Sequence, residues 1–211
     1  MLTTLLCVAW LVGCTDVPST GPPTPEFNSE FRFLNAAGDL ADVSIVFDTG
    51  PAVNGLGFGT ANTHQTYPSG NRVATLSSGD TLRVAMTSDQ RATVMLMDKT
   101  GATREFIKLI ERRIFDPATT SAALFRGVHA SPDAGDIEFT VTGADTVSGT
   151  ASFKDVSPYL SVTAGDYTLT VTTASGDTLT TSLSLSNMRH TGVLVGSSAA
   201  GTLALVGLDD N

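Results

Sequence analysis

The chain has 211 residues, of which 41% are hydrophobic and 16% are charged, so it can bury one or two globular cores and is not a disordered chain. Its formal net charge of −9 argues against binding to nucleic acid, because that binding depends on Lys and Arg neutralising phosphates. Both cysteines, Cys7 and Cys14, precede residue 15, which excludes disulfides and thiolate metal sites from the rest of the chain.

The N-terminus has the features of an export signal. Residues 2–13 form an apolar run that is shorter than the roughly 20 residues needed to span a bilayer, and it has the length of a signal-peptide core. It ends in Leu-Val-Gly-Cys at residues 11–14, which resembles the lipobox of bacterial lipoproteins. That resemblance implies a signal peptide over residues 1–13, cleavage before Cys14 and acylation of Cys14. No Lys or Arg precedes the apolar run, so either the terminal amine supplies the positive charge or the true start lies upstream of Met1.

The next segment has the composition of a tether. Residues 14–29 are rich in Pro, Ser and Thr, and such a stretch cannot bury a core. Several acyl chains on Cys14 would hold the protein stably to a membrane, since each buried methylene contributes about 0.8 kcal/mol. Thr15, rather than Asp, follows the cysteine, which favours the outer membrane. We therefore predict a protein of the cell envelope, lipid-anchored and facing the periplasm or the cell surface.

The remainder is a duplication. Residues 31–39 align with residues 125–133 at an offset of 94, whereas Ser-Gly-Asp at 78–80 aligns with Ala-Gly-Asp at 164–166 at an offset of 86. The extra residues of the first copy are placed in residues 53–70, a Gly- and Asn-rich stretch that we expect to be a loop. The predicted domains are residues 30–117 and 118–211, with linker composition at 116–121. Residues 122–211 are expected to fold alone without metal, and the first copy is expected to be the weaker one.

Short strands between turns predict an all-β fold. Residues 42–47 and 167–173 alternate apolar and polar side chains, as half-buried strands do. Residues 193–195 and 203–206 form a predicted hairpin, while residues 106–115 fit a helical period as well as a strand. Strands at this spacing predict two tandem β-sandwich (Ig-like) domains.

The second copy carries a recognisable motif. It has Val-His-Ala-Ser-Pro-Asp-Ala at residues 128–134 and Ala-Gly-Asp-Tyr at 164–167, and residues 35–39 are a degenerate version of the first run. This pattern is similar to the bacterial family called domain of unknown function 4397. The resemblance implies an extracytoplasmic β-sandwich, often in tandem and often lipid-anchored, and it carries no established activity.

One cluster could carry chemistry. His129, Asp133 and Asp136 lie within a short loop and could ligate a metal, which would make the chain a metal-dependent or carbohydrate-active hydrolase. The alternative, which we favour, is structural: Ser131, Pro132 and Asp133 form a turn, and the histidine makes hydrogen bonds at a strand end. Asn35 stands in place of His129 in the first copy. An asparagine can replace a histidine that makes hydrogen bonds more readily than one that ligates a metal.

Other enzyme classes lack sequence support. The three histidines are far apart, and there is no Gly-x-Ser-x-Gly elbow and no phosphate-binding loop. Paired acids for glycoside chemistry stay open, because 21 acidic residues make some close pair expected by chance. Trp10, the lone tryptophan, lies in the predicted signal peptide, which argues against a surface that binds sugars by stacking them on tryptophan. The leading hypothesis is therefore a non-enzymatic binding, adhesion or scaffold module without a cofactor, taking a protein or glycan ligand at the cell surface.

Overall fold

The computed structural model describes residues 27–98 and 104–210, and this part of the chain contains sixteen strands and no helix. Accordingly, no helix in these ranges is long and apolar enough to cross a membrane. The strands are β1 (Asn28–Asn35), β2 (Asp42–Phe47), β3 (Val53–Gly57), β4 (Gln65–Pro68), β5 (Gly70–Leu76), β6 (Thr81–Met86), β7 (Gln90–Leu96), β8 (Phe106–Arg113), β9 (Ala123–His129), β10 (Ile137–Thr142), β11 (Thr146–Ala151), β12 (Leu160–Val162), β13 (Gly165–Thr173), β14 (Thr178–Leu185), β15 (Arg189–Val195) and β16 (Ala204–Asp209).

The strands form four sheets of four strands, two sheets in each half of the molecule. The first half has an inner sheet of order β4-β1-β7-β8 and an outer sheet of order β3-β2-β5-β6. The second half repeats this plan, with an inner sheet of order β12-β9-β15-β16 and an outer sheet of order β11-β10-β13-β14. Strands β1 and β7 pair in parallel, as do β9 and β15, and the other pairs are antiparallel. The predicted all-β fold with two sandwiches is confirmed.

Strand alternation sets the core of each half. In β2 the buried residues are Val43, Ile45 and Phe47, as the alternation predicted, and they face β1 and β7 across the first sandwich. In β13 Tyr167 and Leu169 are buried likewise in a separate core of the second sandwich. Each half therefore has a hydrophobic core of its own.

The inner sheets are buried on both faces. Strands β1, β7, β9 and β15 lack the alternation of the outer strands, because their second face is covered by the other half. A third apolar cluster fills this junction, and the molecule is consequently built in four layers: outer, inner, inner and outer sheet. The buried residues of the cluster are Leu34, Ala36, Met95, Met97 and Leu109 from the first half and Val128, Ala130, Val193, Val195 and Leu208 from the second.

The two copies fill their own cores with different side chains. Phe33 packs on Phe47 with ring centroids 5.1 Å apart, whereas the aligned residue of the second copy is Gly127. A Cβ placed on Gly127 would lie 2.7 Å from the ring of Phe139, which is aligned with Ile45 of the first copy. A large residue on the inner sheet of one copy has thus been exchanged for a large residue on the outer sheet of the other, which conserves core volume.

The structure corrects the sequence-based prediction for one segment and decides between two predictions for another. Residues 53–70 were expected to be a loop, and that expectation is wrong, because they contain the edge strands β3 and β4. These strands bury few residues, among them Leu56 and Tyr67. Their Gly- and Asn-rich sequence therefore shows little of the alternation of apolar and polar residues by which a strand is predicted. The ambiguous residues 106–115 contain strand β8, and the hairpin predicted near the C-terminus is confirmed as β15 and β16. The predicted signal peptide, Cys14 and the tether up to residue 26 lie outside the described residues.

The two ends of the molecule differ in what they carry. Strands β1, β7, β9 and β15 all start at one end, which we call the entry end because the first described residue, Phe27, lies there. They finish at the opposite end, the far end, where the Gly196 amide donates to the Ala36 carbonyl at 3.2 Å across the two halves. The motif turns that follow β1 and β9 are therefore together at the far end.

Candidate functional site

Polar side chains gather at two places in the described structure: the motif turns of the far end and a charged cluster between the inner sheets. His129 is the centre of the first. It closes β9 and is fully buried, with Nε2 2.5 Å from the Gly135 carbonyl oxygen and Nδ1 accepting from the Ser131 amide at 3.3 Å. Because the carbonyl can only accept, Nε2 carries the proton, and both ring nitrogens are used by the turn itself.

Asn35 makes two comparable contacts in the first copy. Its Oδ1 accepts from the Ala37 amide at 3.1 Å, and its Nδ2 donates to the Leu40 carbonyl at 3.0 Å. The amide oxygen and nitrogen of the asparagine therefore occupy the roles of Nδ1 and Nε2 of His129. In both copies this side chain holds the turn that leads from the inner sheet to the outer sheet.

Asp133 binds the hairpin between β15 and β16. Its carboxylate accepts from the Ser197 hydroxyl at 2.6 Å and from the amides of Ser198 and Ala199 at 2.8 and 2.9 Å. Burial raises the pKa of Asp133, but these hydrogen bonds outweigh it and hold the pKa below its ordinary value. Pro132 lies beside it in the turn, and Ser131 is buried.

In the first copy, the aspartate at the matching position, Asp39, is held by an arginine side chain instead of by a hairpin. Asp39 accepts two hydrogen bonds from the Arg104 guanidinium, at 2.8 and 2.6 Å, close to the start of β8. The Arg104 side chain also donates to the Met97 carbonyl at the end of β7. The motif aspartate thus ties the turn after β1 or β9 to the hairpin of the same inner sheet.

The three candidate ligands do not converge. His129 is directed at the Gly135 carbonyl and Asp133 at the hairpin, while Asp136 is exposed and lines a shallow cleft of about 490 Å³ on the outer sheet, with Glu138 and Asp155. Within residues 27–98 and 104–210, no group of three or more His, Cys, Asp and Glu side chains is arranged to hold a metal ion. The hydrogen bonds of His129 and Asp133 in this loop hold the turn and the neighbouring hairpin in place.

The charged cluster between the inner sheets repeats one arrangement in both halves. Arg32 Nε donates to the Thr93 hydroxyl at 2.7 Å, and that hydroxyl donates to Glu111 at 2.5 Å. In the second half, Arg126 Nε donates to the Thr191 hydroxyl at 2.8 Å, and that hydroxyl donates to Asp210 at 2.5 Å. Each triad of Arg, Thr and acid spans neighbouring strands of one inner sheet.

The two triads are joined across the junction. Arg32 Nη2 lies 2.9 Å from both Glu111 and Asp210, and Arg126 Nη2 lies 3.1 Å from Asp210. Arg126 Nη1 also donates to the Ile110 carbonyl of the other half at 3.0 Å. Two guanidinium groups and two carboxylates therefore meet at the junction, and Arg91 Nε lies 3.9 Å from Glu111 at its edge.

Flanking residues seal the cluster on each side. Tyr159 donates to Asp210 at 2.9 Å, and its ring centroid lies 4.6 Å from Cζ of Arg126. On the other side, His64 Nε2 lies 2.9 Å from the Glu111 carboxylate. The acids are almost completely buried, so the cluster does not face solvent as a catalytic group would.

The two buried acids are shifted in opposite directions. Burial raises the pKa of Glu111, but hydrogen bonding to His64 and the charge of Arg32 outweigh it and hold the pKa below its usual range. Burial and the nearby charge of Glu111 raise the pKa of Asp210, and its arginine partners offset this only in part. Both acids therefore rely on cationic partners to remain ionised.

Sequence reasoning missed this cluster, although one signal was present. The repeat alignment places Arg32 on Arg126, and in both copies the arginine lies inside an apolar strand, where a charge requires a buried partner. Glu111 and Asp210 gave no comparable signal. The position of Glu111 depends on a β-bulge between Arg91 and Ala92, which shifts the register of β8.

The chain matches the model of a known protein family. The family model described as "Domain of unknown function (DUF4397)" matches residues 29–140 and 123–211, so the two matches cover both halves and overlap around β9 and the His129 turn. No curated protein matches the chain.

The buried histidine predicts a specific pH dependence. Burial lowers the pKa of His129 below its ordinary 6.5, with the Gly135 carbonyl and the charges of Asp136 and Asp155 opposing the shift in part. The unfolded chain therefore binds a proton at a pH where the folded chain does not. The contribution of His129 to the free energy of unfolding is therefore fully present above about pH 6.5 and is lost as the pH falls towards the pKa of the folded state.

His129→Asn, which copies the asparagine of the first half, should fold at neutral pH and lose part of this dependence. Urea unfolding of both proteins at about pH 7.5 and about pH 5.5 measures the free energy of unfolding, and the wild type should lose more on acidification. An unchanged pH dependence in the folded variant would contradict the structural role of His129.

Proposed function

The chain belongs to the family of the domain of unknown function (DUF4397), and from this premise we propose that it is a membrane-anchored extracytoplasmic lipoprotein acting as a non-enzymatic binding, adhesion or scaffold module. Its ligand in this proposal is a protein or a glycan at the cell surface. The anchor is acylated Cys14, and the two sandwiches form the displayed body.

The observation that carries the proposal is that His129, Asp133 and the acids of the junction are engaged in hydrogen bonds and ion pairs within the protein. Both nitrogens of His129 are bonded within its own turn, Asp133 holds a hairpin, and Asp210 is fully buried between arginines. A general acid, base or nucleophile must reach a substrate. Because these groups hold the two sandwiches in shape, the arrangement supports a rigid display body better than a hydrolase.

The far end is the surface best suited to ligand binding. It brings together the motif turns of both halves and the β15–β16 hairpin, with Gly38 of the first half packed against Thr202 of the second. Loops held by a rigid scaffold are the usual carriers of binding function. Since the chain enters at the opposite end, an anchor on Cys14 would leave these loops facing away from the membrane.

Removing the anchor tests the lipoprotein part of the proposal. In cells, the wild type should fractionate with membranes and incorporate labelled palmitate. Cys14→Ser should abolish acylation and leave uncleaved or soluble protein, because the thiol that carries the acyl chain is gone. The proposal is wrong if the variant still fractionates with membranes and the wild type incorporates no label.

A matched pair of surface variants tests the binding part. Purified intact chain should bind envelope material saturably, and Ala200→Arg, at an exposed position of the far-end hairpin, should weaken that binding about tenfold or more, as loss of a well-packed contact does. Ser182→Arg is the control, since it places the same side chain at an exposed position in the middle of β14 on the outer sheet, away from both ends. Equal binding by both variants and the wild type would contradict a far-end binding surface.

A further inference from the structure

We propose that the entry end is a membrane-docking surface, in which Phe115 and Phe27 insert into the lipid bilayer to which the chain is anchored. The inference rests on the proposed lipid anchor and deepens it. It assigns the orientation of the body on the membrane and the residues that set it.

Two large apolar side chains are exposed at this end. Phe115 is 88% exposed and Phe27 is 64% exposed, the highest values among the large hydrophobic residues of the described chain. They flank the same strand start: the Asp89 amide donates to the Asn28 carbonyl, and the Ile114 amide donates to the Asp89 carbonyl. Two strand spacings separate their backbones, which is roughly 10 Å. Both exposed rings are therefore presented at the entry end from neighbouring strand positions, and we call them together the entry-end patch.

The exposure of Phe115 is built into the fold. Nη1 of Arg112 donates to the carbonyls of Arg113, Ile114 and Asp116 at 3.0, 2.8 and 2.8 Å. The Asp116 amide also donates back to the Arg113 carbonyl, which closes the turn. This tightly bonded turn holds the phenyl ring of Phe115 in water. Together with Phe27 at the same end, it leaves apolar surface that binding to a lipid surface would bury.

The bilayer is the occupant that the chain geometry favours. Phe27 follows Cys14 by thirteen residues, which reach at most about 45 Å when fully extended. An anchored body thus keeps its entry end within reach of the lipid surface at all times, and the effective concentration of that surface is high. Apolar insertion by aromatic rings is the mode that interfacial protein segments use.

Charge places a limit on which lipids are needed. The whole chain carries −9, so anionic lipids do not recruit it as a body. The side chain of Arg113 is 72% exposed next to Phe115 and is paired with Asp89 at 2.8 Å, so it can approach lipid phosphate without a net positive patch. Docking is therefore expected on zwitterionic phosphatidylcholine vesicles, driven by the rings.

A single tryptophan gives the direct test. Trp10 is the only tryptophan and precedes Cys14, so the acylated mature protein contains none. Phe115→Trp, purified in its acylated form and reconstituted into phosphatidylcholine vesicles, should show blue-shifted emission that brominated lipid quenches. Ala200→Trp, at the far end, is the matched control and should show neither effect.

A second variant tests the patch without relying on that one substitution. Phe27→Trp should also report insertion. When Phe115→Ser is added to Phe27→Trp, the ratio of docked to undocked protein should fall by about tenfold or more, because one ring is no longer buried in the bilayer. Both substitutions lie on exposed side chains, so folding is not at risk.

The outcomes separate the two proposals. Mass spectrometry of the purified protein reports acylation: a chain without acyl groups overturns the proposed anchor and the docking together. An acylated protein whose Phe115→Trp emission stays unshifted in vesicles overturns docking alone. A blue shift that appears without lipid and grows with protein concentration would assign the patch to a second copy of the chain, and would overturn docking as well.

Discussion

The structure depends on the pairing of two buried arginines with two buried acids between the inner sheets. Arg32 and Arg126 lie in strands whose faces are both covered, so their charges cannot be solvated by water and must be met by Glu111 and Asp210. A buried ion pair gains little over an apolar pair of the same volume, but removing one member leaves an uncompensated charge. We infer that the cluster fixes how one sandwich sits on the other, while the surrounding apolar residues supply most of the stabilisation.

The duplication explains why such a junction can form. Each copy contributes the same Arg-Thr-acid triad, and the two triads face each other as equivalent patches do in a symmetric dimer. The copies have otherwise diverged: Gly127 stands where the first copy has the phenyl ring of Phe33, and Arg104 does for Asp39 what the β15–β16 hairpin does for Asp133. The first described strand starts at one end of the joined body, and the motif turns lie at the other.

Sequence reasoning reached the fold where one strand face is wet. The alternation of residues 42–47 and 167–173 predicted β2 and β13 because a polar face marks the period. It failed at residues 53–70, where edge strands bury few side chains. The junction was also out of reach, because a strand buried on both faces shows no period and because the pairing of Arg32 with Asp210 spans 178 residues of sequence. The exchange of Asn35 for His129 was visible in the repeat, and it indicated a hydrogen-bonding role because an amide can replace an imidazole as both donor and acceptor.

Differential scanning calorimetry of the intact chain, its Asp210→Ala variant and a Glu105→Gln control tests the central claim most directly. Glu105 pairs with Lys154 across the two halves at 2.5 Å, but both side chains are exposed, so the control should cost at most about 1 kcal/mol. The wild type should unfold in one transition whose calorimetric and van't Hoff enthalpies agree. Asp210→Ala should lose about 3–5 kcal/mol, because two buried guanidinium groups lose their shared partner. Two separate transitions in the wild type, with Asp210→Ala no less stable than the control, would contradict the account.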